Sequence, residues 1–482
     1  MGIEFNRAVA LLHSFALLQS EQAFAKVAAE DPECAMAYWG IAMSHANQVN
    51  GGPAASDLGP ARQALERADA AKEKDSREAA YIRALHALFD GFKADDFYKL
   101  AGRYTDSMAQ VAATYPKDIE AQVFYALALL NSDRPDDVAL ANPRKAVAIL
   151  QPLFRQFPDH PGIAHYIIHA TDNPKMAQAG LEAARHYSKI APAVPHALHM
   201  PGHIFARLGL WSEDISANLA SKAAAENREL HAGPENRLHA MEFLEYAYLQ
   251  TGQIAKARAI VNEAKSIKVA DLDPRYTGYY ATVETRYGFL LAVETRDWAA
   301  AAATKPVVPG DKGADGLALL ANAMAAGHQH DAPGAKRAEA SVDALVAKIT
   351  PSQRPTATLP DEIRAWDRFA QGRTGDAMAL LRPIADRQAS IGKGEVEIPA
   401  REMLADMLLL DRDYAGALAQ FQLSLAADPN RFSALIGTVQ AAEKLGDRAV
   451  ADRYFRILSA DCRAADTSVL ERVEKLNPRV PL

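Results

Sequence analysis

The feature that most constrains the fold of this chain is a series of prolines that interrupt helical segments at a common point of the apolar pattern. Ala-rich segments with apolar side chains at three- and four-residue spacing run up to these prolines, and that spacing predicts helices. Proline lacks a backbone N–H, so each helix is expected to end just before it. A large apolar residue lies eight positions before the proline in four such segments: Phe24 before Pro32, Met108 before Pro116, Leu150 before Pro158 and Phe421 before Pro429.

These stops resemble the end of the second helix of the tetratricopeptide repeat, a 34-residue helix–turn–helix unit. The end of a first helix recurs as Tyr-Leu-Gln-Thr-Gly before Gln253 and as Phe-Ala-Arg-Leu-Gly before Leu210. Strand signals are nearly absent. One helix pair cannot bury its apolar stripe alone, so neighbouring pairs stack. We therefore expect an all-α protein, a right-handed α-solenoid of such helix pairs whose first helices line a concave groove.

Two stretches rich in Pro, Gly and Thr could divide the array, at residues 303–313 and 349–361. We take the second as the boundary. This predicts an N-terminal array over residues 1–348, which contains the groove described below, and C-terminal repeats over residues 349–482. Residues 49–60 are predicted to form a loop and residues 227–236 an insertion between repeats.

Composition narrows the function. The 482 residues carry a net charge of −7, so nothing indicates a nucleic-acid surface. Cys34 and Cys462 stand at opposite ends of the chain, which excludes a disulfide framework and a cysteine-based metal site. No apolar run is long enough to predict a transmembrane helix. The first residues lack the basic and apolar regions of a signal peptide, so we expect a cytosolic protein or a mature exported one.

Histidines are concentrated in the middle of the chain: nine of the 14 fall between His160 and His239. His165 and His169 form one pair spaced by four residues, and His199 and His203 repeat it 34 residues later. Four residues on a helix return to the same face, so each pair points in one direction. In tetratricopeptide repeats these places, the fifth and ninth of the first helix, face the groove, so the four imidazoles are predicted to converge.

The next repeat is predicted to add further side chains to the groove beside these four histidines. Aligning Gly252 with Gly209 places His239 at the second position, Glu242 at the fifth and Tyr246 at the ninth. His196 holds the second position of the middle repeat. His160 and His196 are also explained as capping or loop residues. His13, His45 and His86 are interpreted as packing or capping histidines.

Neutral imidazole is a common ligand for zinc, copper and iron. The predicted metal ligands are the two pairs completed by two residues of the next repeat: His165, His169, His199, His203, His239 and Glu242. Three residues are candidates for catalysis, with Glu242 as general base, Tyr246 as donor to a developing oxyanion and His239 beside them. Asp172 is expected to accept a hydrogen bond that fixes a histidine tautomer.

Further likeness links the chain to a His-rich group of bacterial tetratricopeptide-repeat proteins, mostly of unassigned function. It rests on Phe-Asn-Arg-Ala-Val-Ala-Leu-Leu-His-Ser-Phe from Phe5, on His165-Tyr-Ile-Ile-His-Ala and on Pro195-His-Ala-Leu-His-Met-Pro-Gly-His-Ile-Phe. Members of this group commonly carry an export signal, so the resemblance implies a periplasmic location. It implies no particular reaction.

The functional hypothesis is a metal-dependent enzyme that acts on a small molecule in the groove. The ion is zinc or copper, or alternatively iron, and the chemistry is either water activation or redox chemistry. Tetratricopeptide grooves also hold peptides through polar side chains. The alternative is therefore a non-catalytic scaffold for a peptide or protein partner, and a further alternative is that the histidines share no role.

Overall fold

In the computed structural model of the chain, the described residues are 2–49, 51–72, 74–93, 97–226, 234–268, 272, 277–349 and 357–480. Within these ranges the chain forms α-helices joined by turns and contains no β-strand. The predicted all-α class is confirmed. None of the helices in this part of the chain has the length and apolar character needed to cross a bilayer.

The helices divide between two compact units. The first unit comprises residues 2–172 and 176–204. Its helices are α1 (Gly2–His13), α2 (Leu17–Glu30), α3 (Ala35–Ser44), α4 (Leu58–Ala70), α5 (Ser76–Phe89), α6 (Phe97–Thr114), α7 (Ile119–Asn131), α8 (Ala141–Gln156), α9 (Pro161–Thr171), α10 (Ala177–Ile190) and α11 (Pro195–Arg207), whose last three residues belong to the second unit.

The second unit comprises residues 173–175, 205–226 and the described residues from 234 onward. Its helices are α12 (Trp211–Ala225), α13 (Pro234–Gln250), α14 (Ile254–Ala264), α15 (Thr277–Glu294), α16 (Trp298–Ala302), α17 (Lys312–Gln329), α18 (Ala332–Ala347), α19 (Leu359–Ala370), α20 (Thr374–Ile391), α21 (Ala400–Leu410), α22 (Tyr414–Ala427), α23 (Phe432–Leu445), α24 (Arg448–Asp461), a 3₁₀ turn at Cys462–Ala464 and α25 (Thr467–Glu474).

The four helices for which a proline predicted the end stop close to that proline. α2, α6, α8 and α22 each stop two residues before their proline. The large residue eight positions before each proline is fully buried in all four cases, namely Phe24, Met108, Leu150 and Phe421. The proline stop and the apolar position therefore mark one recurring helix whose large side chain enters the core.

A small-on-large contact repeats in both units and shows the same helix pair twice. A Cβ added to Gly40 would lie 2.4 Å from the Phe24 ring, and one added to Gly437 would lie 2.2 Å from the Phe421 ring. In each case the glycine follows the phenylalanine by 16 residues. Only a glycine lets the two helices approach this closely. Together with the packing of each helix against the next one along the chain, this defines helical repeats of the tetratricopeptide type.

The repeat length appears directly in the helix starts. α9 and α11 begin 34 residues apart, and so do α10 and α12. α11 begins at Pro195, so Pro201 lies inside the helix rather than in its first turn. The predicted loop at residues 49–60 is wrong at its end, because α4 begins at Leu58 and includes Pro60 in its first turn. The backbone N–H groups of a first turn make no hydrogen bond within the helix, so a proline is tolerated there.

Three predictions about linkers fall partly outside the described residues, which exclude residue 50, residues 227–233 and residues 350–356. The division of the chain at residues 348 and 349 stays a prediction.

Candidate metal centre

The first histidine cluster consists of His165 and His169 of α9 and His196 of α11, all in the first unit. The His165 Nε2 atom lies 3.1 Å from the Nε2 atom of His169 and 3.1 Å from that of His196. All three rings therefore turn the same nitrogen toward one point. Zinc–nitrogen bonds of about 2.0–2.1 Å in a tetrahedron separate ligand nitrogens by about 3.3–3.4 Å, close to the spacing in this cluster.

The tautomer of His165 is fixed by a hydrogen bond on the side of the ring that faces away from the cluster. Its Nδ1 atom donates a hydrogen bond of 2.6 Å to the backbone carbonyl oxygen of His13. In a neutral imidazole only one nitrogen carries a proton, so Nε2 of His165 presents a lone pair to the cluster. Burial, reinforced by the neighbouring His196, lowers the pKa of His165 well below its ordinary value. His165 is therefore a neutral imidazole, the form that binds metals.

The second histidine cluster consists of His199 and His203, one turn apart on α11, with Asp172 behind them. The two Nε2 atoms lie 2.9 Å apart. Nδ1 of His203 lies 2.9 Å from Oδ2 of Asp172, the residue that follows the last turn of α9. Donation from this Nδ1 to the carboxylate leaves Nε2 of His203 with its lone pair toward His199. The predicted role of Asp172 as the tautomer-fixing acceptor agrees with this contact.

The structure brings the members of each predicted pair together, and it adds His196 to the first. His196 and His199 lie on the same side of α11 with their ring centroids 6.5 Å apart. Ligand atoms that lie within 4.8 Å of one another join His165, His169 and His196 in one group. The described residues of the first unit thus contain two adjacent clusters, one for each pair, where the repeat argument predicted a single meeting point.

A third group in the first unit contains Glu120 between His13 and His160. Nε2 of His13 lies 2.8 Å from one carboxylate oxygen and Nε2 of His160 lies 3.1 Å from the other. Nδ1 of His160 accepts a hydrogen bond from the Ile163 amide at the start of α9, as its predicted capping role requires. Nε2 of His160 therefore carries a proton and donates to Glu120. This group is a hydrogen-bonded network rather than a ligand set.

Sequence reasoning did not find this network, because His13 and His160 are 147 residues apart and single histidines carry no pattern. Burial acts to raise the pKa of Glu120, but its contacts with His13 and His160 outweigh burial and hold this pKa well below its usual range. An ionised Glu120 therefore anchors both rings.

Among the candidates in the second unit, His239 and Glu242 lie together on α13. Nδ1 of His239 is 3.1 Å from Oε2 of Glu242. Tyr279 donates to the same oxygen at 2.6 Å, and Arg286 donates to the other at 2.6 Å. Burial acts to raise the pKa of Glu242, but the Arg286 charge and these hydrogen bonds lower it overall. Glu242 is a carboxylate with both oxygens engaged, and it orients His239 so that Nε2 points away from it.

Tyr246 lies elsewhere in the second unit. Its hydroxyl donates to the carbonyl oxygen of Glu397 at 3.3 Å and accepts hydrogen bonds from Lys393 and Arg431. Arg431 is buried and also pairs with Glu294 and Glu402. Tyr246 is thus part of a buried ionic network, separate from the His239–Glu242 pair. The catalytic roles of Tyr246, Glu242 and His239, and the part of His239 and Glu242 in the ligand set, stay predictions.

No protein-family model matches the sequence, and no curated protein matches it. A solved structure to which the chain is similar is that of a monomeric IFIT1 mutant with m7Gppp-AAAA. The two chains are 10% identical, with a TM-score of 0.40 over 94% of this chain and 95% of that chain. The helical-repeat class of this protein rests on the helices described above.

Proposed function

We propose that this protein is a helical-repeat scaffold that binds a transition-metal ion in the first histidine cluster and a second ion at the second cluster. The observation that carries the proposal is the convergence of three Nε2 atoms from α9 and α11, with Nδ1 of His165 held by an oxygen acceptor behind it. Metal-bound histidines in proteins almost always donate their other ring N–H to such an acceptor. His203 with Asp172 repeats the arrangement.

The ligand type restricts the ion. Neutral imidazoles suit zinc, copper, iron and nickel, whereas magnesium and calcium require oxygen ligands. The periplasmic location implied by the resemblance favours zinc or copper. Three protein nitrogens also leave a coordination position for water or a small substrate.

We further propose that the bound ion makes this protein an enzyme. An ion with an open position would either lower the pKa of bound water for hydrolysis or exchange electrons with a small molecule. His239 is a candidate base, because Glu242 and Tyr279 lie against its Nδ1 and orient the imidazole.

A non-catalytic scaffold for a peptide or protein partner is the function that the fold class supports by itself, since stacked helix pairs present extended surfaces. This alternative assigns no function to the ring nitrogens that face one another. The two hypotheses differ in one measurable property, the stoichiometric binding of metal.

The test is elemental analysis of the purified protein after exposure to zinc or copper and removal of loosely bound ions. We expect two ions per chain, loss of one ion in His165→Ala, and loss of the other in His199→Ala. His186→Ala is the matched control, because His186 pairs with Asp159 on the surface of the same unit. Metal-free wild-type protein would contradict the proposal and leave the scaffold alternative.

Asp172→Asn tests whether Asp172 strengthens metal binding by orienting His203, without binding the metal itself. The amide keeps the shape of the side chain but loses the charge, and losing such an outer partner typically costs about 10- to 100-fold in metal affinity. We expect this loss at the second cluster alone, measured by competitive titration with a chelator. Asp159→Asn, on the exposed His186 pair, serves as the control and should leave both affinities unchanged.

A further inference from the structure

We infer that Phe15 covers the ion of the first histidine cluster and limits its open coordination position to ligands of a few atoms, such as water, azide or a diatomic molecule. The inference rests on the proposed metal binding. It excludes a peptide or other bulky substrate as the group that reaches this ion.

The Phe15 ring contacts all three members of the cluster. Its centroid lies 4.5 Å from that of His165, 5.6 Å from that of His169 and 5.6 Å from that of His196. The planes of Phe15 and His196 are inclined by only 23°, so these two rings stack. An aromatic ring in contact with three ligands lies over the point at which they converge.

Phe15 occupies the turn that follows the first helix of a pair. Its φ is +54°, in the left-handed region that residues with a bulky side chain rarely adopt. Gly209 and Gly252 adopt the same region at the equivalent turns, so this conformation belongs to the repeat. Here the turn between α1 and α2 delivers two contacts at once: the carbonyl of His13 holds Nδ1 of His165, and the Phe15 ring lies over the cluster.

The turn is anchored on its far side. The His13 ring is fixed by Glu120 at 2.8 Å and by the Tyr166 hydroxyl at 2.9 Å, and it stacks on Phe124. Gly162 of α9 makes room for it, since a Cβ there would lie 2.4 Å from Nδ1 of His13. The anchored ring fixes the position of the carbonyl and of the two residues that follow it.

Phe15 also lines a small cavity together with Leu12, Leu17, Met43 and Leu127 among others, and the volume of this cavity is about 10 Å³. A space of this size holds about one water molecule. The half-buried ring is therefore closely packed on this side and reaches solvent on another.

Tyr187 completes the apolar surroundings from another direction. It is fully buried and stacks on His165 with ring centroids 5.1 Å apart and an interplanar angle of 13°. An apolar shell around a metal site controls solvent access and the properties of bound water. Small ligands would reach the ion past Phe15, and larger ones would collide with its ring.

Phe15→Gly tests the inference with little risk to folding, because glycine adopts positive φ without strain. Both proteins are loaded with Cu(II), and azide and imidazole are added while electron paramagnetic resonance follows the copper spectrum. We expect wild-type copper to bind azide but not imidazole. Phe15→Gly should bind both, and it should lose copper to EDTA about tenfold faster because solvent reaches the site.

Phe89→Ala is the matched control, since Phe89 is a fully buried phenylalanine of α5 in the same unit. It should behave as wild type in both assays, which separates loss of the cover from general loosening. Wild-type protein that binds copper and imidazole as readily as Phe15→Gly would overturn the inference and leave the proposed metal site intact. Wild-type protein that takes up no copper would overturn both.

Discussion

Several carboxylates of this protein are held by hydrogen-bonded or charged side chains, and these contacts set the protonation of the carboxylates. Glu120 and Glu242 remain carboxylates because two histidines bind the first and Arg286 binds the second. Glu362 of α19 is a contrasting case. It is 4% exposed, and burial, together with the charge of Glu397, raises its pKa to about 8.

The raised pKa of Glu362 predicts a pH dependence of stability. The folded state favours the neutral acid, so its contribution is complete below the ordinary pKa of 4.5 and is lost as the pH rises toward 8. Glu362→Gln mimics the neutral acid at every pH. Its melting temperature should match that of wild type near pH 4.5 and exceed it at pH 9.

Thermal unfolding monitored by circular dichroism between pH 4.5 and 9 checks this expectation. Glu471→Gln, on the exposed surface of α25 in the same unit, is the control and should show a difference that does not change with pH. A Glu362→Gln difference that is equally flat would mean that Glu362 is ionised in the folded protein.

At the scale of single residues, the sequence predicted the site residues that recur at the repeat length. It did not predict site residues that occur only once. The spacing of His165 to His199 and of His169 to His203 equals the repeat length, so a periodic argument could find them. His13 could not be found this way, because its contact with His165 spans 152 residues and runs through a backbone carbonyl that any residue could supply. Its side-chain partner Glu120 likewise lies in a different repeat.

At the scale of helices, the prediction succeeded where a local signal exists. Proline stops and apolar spacing are local, and the ends of α2, α6, α8 and α22 follow them. The start of α11 carries no such signal, because the helix contains both Pro195 and Pro201, and a proline is acceptable at the first position of a helix and also inside a kinked one. Packing against neighbouring helices decides such cases, and the sequence does not display it.

The contact between α1 and α9 predicts the effect of one added methyl group. In Gly162→Ala the new Cβ would meet the His13 ring, which must then move away from Glu120 and take its carbonyl from His165. We expect a loss of about 1–3 kcal/mol in the free energy of unfolding, as for overpacked cores. Metal affinity at the first cluster should fall about tenfold as its orienting contact is lost.

Gly102→Ala provides the comparison for this substitution. Gly102 lies in α6 of the same unit, and a Cβ there would meet nothing within 4 Å. Alanine should leave metal affinity unchanged and stabilise the helix by about 0.5–1 kcal/mol. Chemical denaturation and chelator competition on both variants check the pair, and equal behaviour of the two would contradict the proposed link from α1 to His165.

At the scale of the whole molecule, the two compact units contain different chemistry. The two histidine clusters and the Glu120 network belong to the first unit, and the buried ionic network around Arg431 belongs to the second. Both units are built from the same helix pair, as Gly40 on Phe24 and Gly437 on Phe421 demonstrate. The repeat fold therefore supplies a common frame, and the side chains placed on it differ between units.

This distribution predicts where bound metal will stabilise the protein. A ligand at 100 times its dissociation constant adds about 2.7 kcal/mol to the folded state that binds it. Local opening that breaks the first cluster must also release the ion, so amide exchange should slow in α9, in α11 and in the turn between α1 and α2. Helices α22, α23 and α24 of the second unit contain no member of either cluster and should exchange at the same rate with and without metal.

Hydrogen exchange followed by mass spectrometry, with and without zinc, measures this pattern. His165→Ala in the same experiment should remove the protection of α9 while leaving α22 to α24 as in wild type. Protection spread evenly over both units would indicate binding to sites other than the histidine clusters. Unchanged exchange in α9 at full zinc occupancy would contradict coordination by His165 and His169, because an ion held by both must oppose the opening of that helix.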